Sequence, residues 1–94
     1  MKPNTLLTVP DDVVFRDLAG EAVLLHLATG TYFGLDTVGT RIWHLLAEHQ
    51  STDLILPLLL QEFDVTEKQL RLDLDDLVTQ LLAHRLLLAA NDPA

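Results

Sequence analysis

The chain has 94 residues, no cysteine and a formal net charge of -8 at pH 7, and 49% of its residues are hydrophobic. This length suits one compact domain, and the lack of cysteine excludes disulfides and thiolate metal sites and favours a cytoplasmic location. The negative charge predicts no nucleic-acid partner, because such a chain repels phosphate backbones. The longest apolar run, residues 54–60, contains Pro57 and is far shorter than the roughly 20 residues that span a bilayer, so no membrane partner is expected.

The first third of the chain predicts three short strands in which apolar positions alternate. The predicted strands are residues 13–16, 21–27 and 31–35. Residues 17–20 and 28–30 form the predicted turns, and Gly30 can supply a positive φ in the second of them. Two short loops joining three strands predict an antiparallel meander.

The next segment predicts two helices. Asp36 or Thr37 can cap the first helix, and Ser51 or Thr52 can cap the second. Pro57 lies inside the second helix, where proline removes a backbone donor and clashes with the preceding turn. We therefore expect a kink there, or a helix that starts later than the apolar pattern suggests.

The third helix has the clearest start. Thr66 and Gln69 match a capping box, with Thr66 as the N-cap and the Gln69 side chain reaching back to it. The helix is expected to end near His84, and its apolar stripe consists of Leu70, Leu74, Leu77 and Leu81 with Val78 at one edge. The chain thus predicts an α+β domain at residues 11–89, with an N-terminal extension at 1–10 and a flexible tail at 90–94.

Nothing in the sequence predicts catalysis, a metal or a cofactor. No two of the four histidines have the spacing of a helical metal-ligand pair, and His44 and His49 would lie about 140° apart on a helix. A phosphate-binding loop and a nucleophile elbow are both missing. The histidines are therefore interpreted as scattered surface or partly buried side chains; they are His26, His44, His49 and His84.

The third predicted strand is the most informative segment. In a three-stranded meander it is an edge with unpaired backbone groups, and an aromatic edge beside an amphipathic helix suits the addition of a peptide strand. Tyr32 and Phe33 point to opposite faces, and the sequence leaves open which one faces a ligand. The alternative is that both are ordinary core and rim residues and that the tail or a dimer partner covers the edge.

Charged and apolar side chains of the third helix add two further possibilities. Asp73 and Asp76 share a face, which is either simply solvated or contacts a basic side chain of a ligand. Leu72 points away from the apolar stripe. If Leu72 and Ala83 flank a groove, they can hold apolar side chains of a bound peptide.

Several segments occur in a familiar order and spacing. They are residues 20–27, 29–36, 38–43 and 63–65, followed by the leucines at 81–82 and 86–88. In this arrangement the chain resembles the PqqD-like family, the recognition elements of ribosomally synthesised and post-translationally modified peptides. The resemblance covers about residues 10–90.

The resemblance implies a winged-helix-like fold of three antiparallel strands followed by three helices. It also implies that the leader segment of a precursor peptide binds as an extra strand on the third strand, against the third helix. Asp36 stands where the family often has asparagine, which leaves the capping role intact. The implied peptide-binding residues are Thr31, Tyr32, Phe33, Gly34, Leu35, Gln69, Leu70, Leu72, Asp73, Asp76, Leu77 and Gln80.

Residues 32–36 look most similar to the stand-alone members of lasso peptide pathways. That similarity implies a non-catalytic monomer working beside a leader peptidase and a macrolactam-forming cyclase. One alternative is a PqqD-type peptide chaperone for a radical SAM enzyme in quinone cofactor synthesis. The other is a winged-helix DNA-binding regulator, which the acidic third helix disfavours.

Overall fold

The computed structural model describes residues 5–91. Its elements in chain order are β1 (Thr5–Thr8), β2 (Val13–Leu18), β3 (Glu21–His26), β4 (Thr31–Gly34), α1 (Thr37–His49), α2 (Thr52–Glu62), α3 (Glu67–Ala83) and β5 (Leu88–Asn91). Strands β2, β3 and β4 form an antiparallel sheet in that order, and β1 pairs with β5 in a separate two-stranded sheet. The predicted α+β architecture, a three-stranded meander followed by three helices, is confirmed.

Two tight turns set the register of the meander. Ala19 and Gly20 have φ of 53° and 85°, the left-handed pair of a two-residue hairpin whose twist matches the flanking strands. The predicted turn at 17–20 is therefore too long, because β2 continues to Leu18 opposite Glu21. Gly30 has the expected positive φ of 73°.

Side-chain caps begin all three helices. The N–H groups of Gly39 and Leu54 donate to Asp36 and Ser51 at 2.7 and 3.4 Å. The second helix begins at Thr52 and continues through Pro57, so the later start is wrong.

The third helix has the predicted N-cap but not the full capping box. Thr66 accepts from the backbone N–H of Gln69 at 3.1 Å. The Gln69 side chain turns forward along the helix instead of back, and its amide donates to Asp73 at 2.9 Å. The amide thus stabilises a carboxylate one turn along the helix face.

The core lies between one face of the meander and the three helices. Trp43 and Leu24 are completely buried there, and α3 contributes Leu70, Leu74, Val78 and Leu81. Val78 therefore belongs to the core rather than to the edge of the stripe. Leu77, predicted inside the stripe, is only partly buried and lies at the margin of the core.

Pairing of β1 with β5 was not expected from the sequence. Leu7 of β1 is completely buried and donates its N–H to the carbonyl of Gln50 at 2.8 Å. Arg85 adopts a left-handed φ of 59°, and the Leu86 N–H donates to Leu81, which turns the chain out of α3 toward β5. Residues 5–8 of the predicted extension and 90–91 of the predicted tail therefore pair with each other and leave β4 uncovered.

Candidate functional site

The outer edge of β4 carries backbone groups without a strand partner among residues 5–91. β4 pairs with β3 alone, and the Leu35 N–H donates to Ala22 at 2.8 Å. Hydrogen-bonded pairs alternate in an antiparallel ladder. Every second residue therefore directs its backbone groups toward β3, namely Leu35, Phe33 and Thr31. Tyr32 and Gly34 consequently direct their N–H and C=O groups toward the open side.

An open groove of about 510 Å³ separates this edge from α3. Its apolar lining comes from β4, α1, the segment between α2 and α3, and α3 itself. The apolar side chains are Phe33, Leu35, Val38, Ile42, Phe63, Val65, Leu70 and Leu77. A groove with an apolar lining and an unpaired strand on one wall can accept an extended peptide through main-chain bonds and side-chain pockets.

The structure decides which of the two adjacent aromatics faces the groove. Phe33 is half-buried, lines the groove and places its ring centroid 5.6 Å from that of His84. Tyr32 is 71% exposed on the opposite face of the sheet, level with Leu25. The side chain of Phe33 is therefore the one placed to contact a peptide in the groove.

One end of the groove is built by the start of α1. The Ala22 N–H donates to the Thr40 hydroxyl at 2.8 Å. Pairing of β3 with β4 ends next to Ala22, so this N–H bonds to α1 instead of to a strand. A Cβ at Gly39 would lie 3.1 Å from the capping carboxylate of Asp36, so glycine at this position leaves room for the helix cap. The helix start brings Asp36 and Val38 to the groove.

Three carboxylates give the groove a negative rim: Asp36, Asp73 and Asp76. Asp73 and Asp76 accept hydrogen bonds from Gln69 and Gln80 at 2.9 and 3.0 Å. None of the ion pairs found within residues 5–91 involves these three carboxylates. The rim can therefore receive a basic side chain from outside.

Most of the expected binding residues do line the groove. These are Phe33, Gly34, Leu35, Leu70, Asp73, Asp76, Leu77 and Gln80. Thr31 lies at the far end of β4 and accepts from the Thr29 hydroxyl at 2.9 Å, while Tyr32 points to the other face. Gln69 supports Asp73 from the side, and Leu72 is 58% exposed away from the groove.

Sequence reasoning missed the lining residues outside the third strand and third helix. They are Asp36, Val38, Gly39, Ile42, Phe63 and Val65. Segment 63–65 was noticed only as part of the family resemblance. Asp36 was interpreted as a helix cap, and only the tertiary structure shows that Val38 and Ile42 of α1 also line the groove.

The four histidines do not converge. The side chain of His44 lies 3.1 Å from that of Asp17, and that of His49 lies 3.8 Å from that of Glu48. His84 packs on Phe33, and His26 is buried in β3. Within residues 5–91, no group of three or more histidine, aspartate or glutamate side chains is arranged to hold a metal ion. In the same range, no helix is long and apolar enough to cross a membrane.

The meander, the three helices and the open edge define a small winged-helix-like domain of the PqqD-like kind. The family model described as "Coenzyme PQQ synthesis protein D (PqqD)" matches residues 21–87, and the chain belongs to this family. A solved structure titled "TbiB1 in Complex with the TbiA(beta) Leader Peptide" is 41% identical, with a TM-score of 0.82. The match covers 90% of this chain and 99% of that one. No curated protein matches the sequence.

Proposed function

We propose that this protein binds the leader segment of a ribosomally synthesised precursor peptide as an added strand on β4, facing α3. The observation that carries the proposal is the unpaired edge of β4 beside an open apolar groove. The similar TbiB1 chain forms a complex with a leader peptide, which supports the same class of ligand here.

The proposed mode of binding follows from the open edge of β4 and the groove beside it. Its backbone bonds to the outward N–H and C=O groups of Tyr32 and Gly34, which are two residues apart as strand pairing requires. Alternate side chains of an extended peptide point the same way, so every second residue enters the groove beside Phe33 and Leu77. A basic side chain near the rim meets carboxylates such as Asp73.

The protein acts by concentrating and positioning its ligand rather than by chemistry of its own. Binding the leader raises the effective concentration of the rest of the precursor near its enzymes. We assign the protein to lasso peptide biosynthesis, as a cytoplasmic monomer without a cofactor that presents the precursor to a leader peptidase and a cyclase.

A titration with the leader tests the binding proposal. The probe is a fluorescently labelled synthetic leader of the precursor encoded beside the gene, followed by anisotropy. Saturable binding is expected for the leader and not for the core peptide alone or for a scrambled leader of equal charge. No binding up to high micromolar concentration would overturn the proposal.

The family description favours one alternative within the same binding mode. A protein of this family in quinone cofactor synthesis would hold a precursor for a radical SAM enzyme instead of a peptidase and cyclase. The peptide binds at the edge of β4 in both proposals, so the identity of the bound precursor distinguishes lasso peptide biosynthesis from quinone cofactor synthesis. Tight binding of a quinone cofactor precursor, with none of a lasso leader, would establish the alternative.

A further inference from the structure

The three-stranded sheet has a second open edge, on the side of β2 that faces away from β3; it is here called the β2 edge. β2 pairs with β3 alone within residues 5–91, and every residue of β2 after Val13 is exposed. The Leu27 N–H donates to the carbonyl of Asp12 at 2.7 Å, which sets which residues of the ladder bond to β3. In this alternation Phe15 and Asp17 direct their N–H and C=O groups outward.

The β2 edge repeats the arrangement found at β4. Phe15 in β2 and Phe33 in β4 are both opposite Leu24 of β3, so the two rings lie on the helix-facing side at the two edges of the sheet. The Phe15 ring centroid lies 5.5 Å from that of His44 in α1. The Phe33 ring centroid lies 5.6 Å from that of His84 at the end of α3. An unpaired strand with an aromatic between it and a helix suits strand addition at either edge.

Phe15 is fixed in position but still accessible. Its ring packs edge-on against the buried Trp43 of α1, with 5.8 Å between the centroids, and 43% of the residue is exposed. An aromatic that is already held in place loses little further side-chain freedom when another strand packs on it. The β2 edge therefore offers main-chain bonds together with an apolar contact.

The charges along the β2 edge define the chemistry of a partner strand. Asp17 lies on the same side of the sheet as Phe15, and its carboxylate is 3.1 Å from the His44 ring. Asp11 and Asp12, just before the strand, are exposed and take part in none of the ion pairs found within residues 5–91. Opposite charges across a strand pair stabilise it, so a strand that pairs here should carry basic side chains.

A second copy of the chain is a poor occupant of this edge. Twofold pairing of β2 with β2 brings the same carboxylates of both copies into one interface, and each copy has a net charge of -8. Asp17 is also a charge on the helix-facing side of an edge strand, a feature that discourages self-pairing. The same carboxylate attracts a basic strand, so charge favours a different protein.

The β2 edge and the leader-binding edge can be occupied at the same time. β2 and β4 are the two outer strands of the sheet, separated by two strand spacings or about 10 Å. A segment added to β2 leaves the groove beside Phe33 free. A protein docked at β2 is nevertheless only one sheet width away from a peptide held at β4.

We propose that the β2 edge is the docking site for the cyclase, which adds a basic extended segment to β2 and bonds to the outward backbone groups of Phe15 and Asp17. This rests on the proposed function, in which a peptidase and a cyclase act on one held precursor. The peptidase cuts where the held leader ends and so works on the β4 side, which leaves β2 to the enzyme that acts on the core. Docking there raises the effective concentration of the cyclase near the core.

Substitutions at Asp17 test the charge and the main-chain bonds separately. Asp17→Lys reverses the charge, and Asp17→Asn removes it while keeping an oxygen that can accept from His44. Asp17→Pro removes an outward N–H that β3 does not use. The matched control is Asp75→Lys, the same charge change at an exposed position of α3 outside the groove. Circular dichroism checks that each variant folds.

Each variant is titrated with the labelled leader, and with the purified cyclase of the same gene cluster in the presence and absence of leader. We expect Asp17→Lys and Asp17→Pro to lose at least about tenfold in cyclase affinity, ~1.4 kcal/mol, and Asp17→Asn to lose less than Asp17→Lys. All variants should bind the leader within twofold of the parent, and Asp75→Lys should bind the cyclase like the parent. Added salt should weaken cyclase binding to the parent more than to Asp17→Lys.

Amide hydrogen exchange locates the two contacts on the sheet. Added cyclase should slow exchange at Phe15 and Asp17, because their N–H groups become hydrogen-bonded. Added leader should instead slow exchange at Tyr32 and Gly34. Slowing by the cyclase at Tyr32 and Gly34, with none at Phe15 and Asp17, would place the enzyme at the wrong edge for this proposal.

Other results would also overturn the docking proposal. They are no cyclase binding by the parent, equal losses of cyclase affinity in Asp17→Lys and Asp75→Lys, loss of peptidase binding alone, and a parent dimer that Asp17→Lys dissociates. If the parent binds no leader, the proposed function itself is wrong. The two failures are distinguishable, because cyclase binding is also measured without leader.

Discussion

The ring of Phe33 in β4 lies 5.6 Å from the imidazole of His84, at the residue that caps the C-terminus of α3. This contact connects β4 to the end of α3 through side chains, since the backbone of β4 pairs only with β3 within residues 5–91. The groove stays open along the strand edge, and the Phe33–His84 contact links β4 to the end of α3.

Truncating Phe33 tests which aromatic faces the peptide. Phe33→Ala removes an apolar wall, and we expect leader affinity to fall about tenfold or more, as for a buried aromatic anchor. Tyr32→Ala is the matched comparison, because its side chain lies on the opposite face. Equal losses in the two variants, measured by anisotropy, would contradict the assignment.

A negative charge at Leu77 in α3 should weaken leader binding more than the same charge at Leu72 on the same helix. Leu77 is half-buried and lines the groove, whereas Leu72 on the same helix is 58% exposed outside it. Leu77→Asp is expected to weaken leader binding by about 2 kcal/mol, roughly 30-fold, through a buried unpaired charge. Leu72→Asp should cost far less. A larger loss in Leu72→Asp than in Leu77→Asp would place the peptide on another face of α3.

Substitutions at Gly34 test the main-chain bonds. Its N–H points to the open edge, so Gly34→Pro removes a donor needed by the peptide and none needed by β3. Leader affinity should fall by about 1 to 3 kcal/mol with the fold retained. Gly34→Ala keeps the N–H, and its Cβ meets no atom within 4 Å. If proline and alanine bind the leader equally well, strand addition at this residue is excluded.

The β2–β3 turn offers a stability prediction independent of ligand. Ala19 has a φ of 53°, a left-handed conformation that is costly for alanine and well tolerated by asparagine. Ala19→Asn should raise the unfolding free energy by about 1 kcal/mol, measured by urea denaturation. Ala28→Asn, at an exposed position without positive φ, serves as the control. A stability gain of the same size in both variants would refute the explanation.

The ion pair between α1 and α2 predicts a pH dependence. Arg41 donates to both carboxylate oxygens of Glu62 at 2.8 Å, and this hydrogen bonding lowers the pKa of Glu62 from its ordinary value of 4.5. A lowered folded-state pKa adds stability above pH 4.5 that is lost as the pH falls through the lowered value. Glu62→Gln should therefore be less stable than the parent at pH 7, with the gap closing in acid.

Thermal unfolding across a pH series measures that gap. The effect is small because both side chains are exposed to solvent. Glu21→Gln removes an exposed carboxylate outside any ion pair found in residues 5–91 and should show no such closing gap. A constant difference between Glu62→Gln and the parent at all pH values would contradict the role of Arg41.

Local sequence signals predicted the elements well. Thr66 caps α3 as expected, because a hydroxyl before a helical stripe has few other roles. Gly30 takes the positive φ that its turn requires. Turn length was overestimated at 17–20, since alanine gives no sign of the left-handed conformation that Ala19 adopts.

Only part of the candidate site could be predicted from the sequence. The strand and the α3 wall followed from alternation and from the family resemblance, but the exact angle of the helix separates Val78 in the core from Leu77 in the groove. That angle depends on packing against α2 and the sheet, which a helical stripe does not specify.

By itself, the sequence determined what short-range physics controls: three alternating strands, three capped helices and a third strand left at the edge of a meander. Only the tertiary structure decided that β1 pairs with β5 rather than with β4, since residues as far apart as Thr8 and Leu88 are brought together by packing and not by a local pattern. It also decided that Phe33 faces the groove and Tyr32 faces away. Adjacent side chains in a strand point to opposite faces of the sheet, but only the position of the helices determines which face is buried.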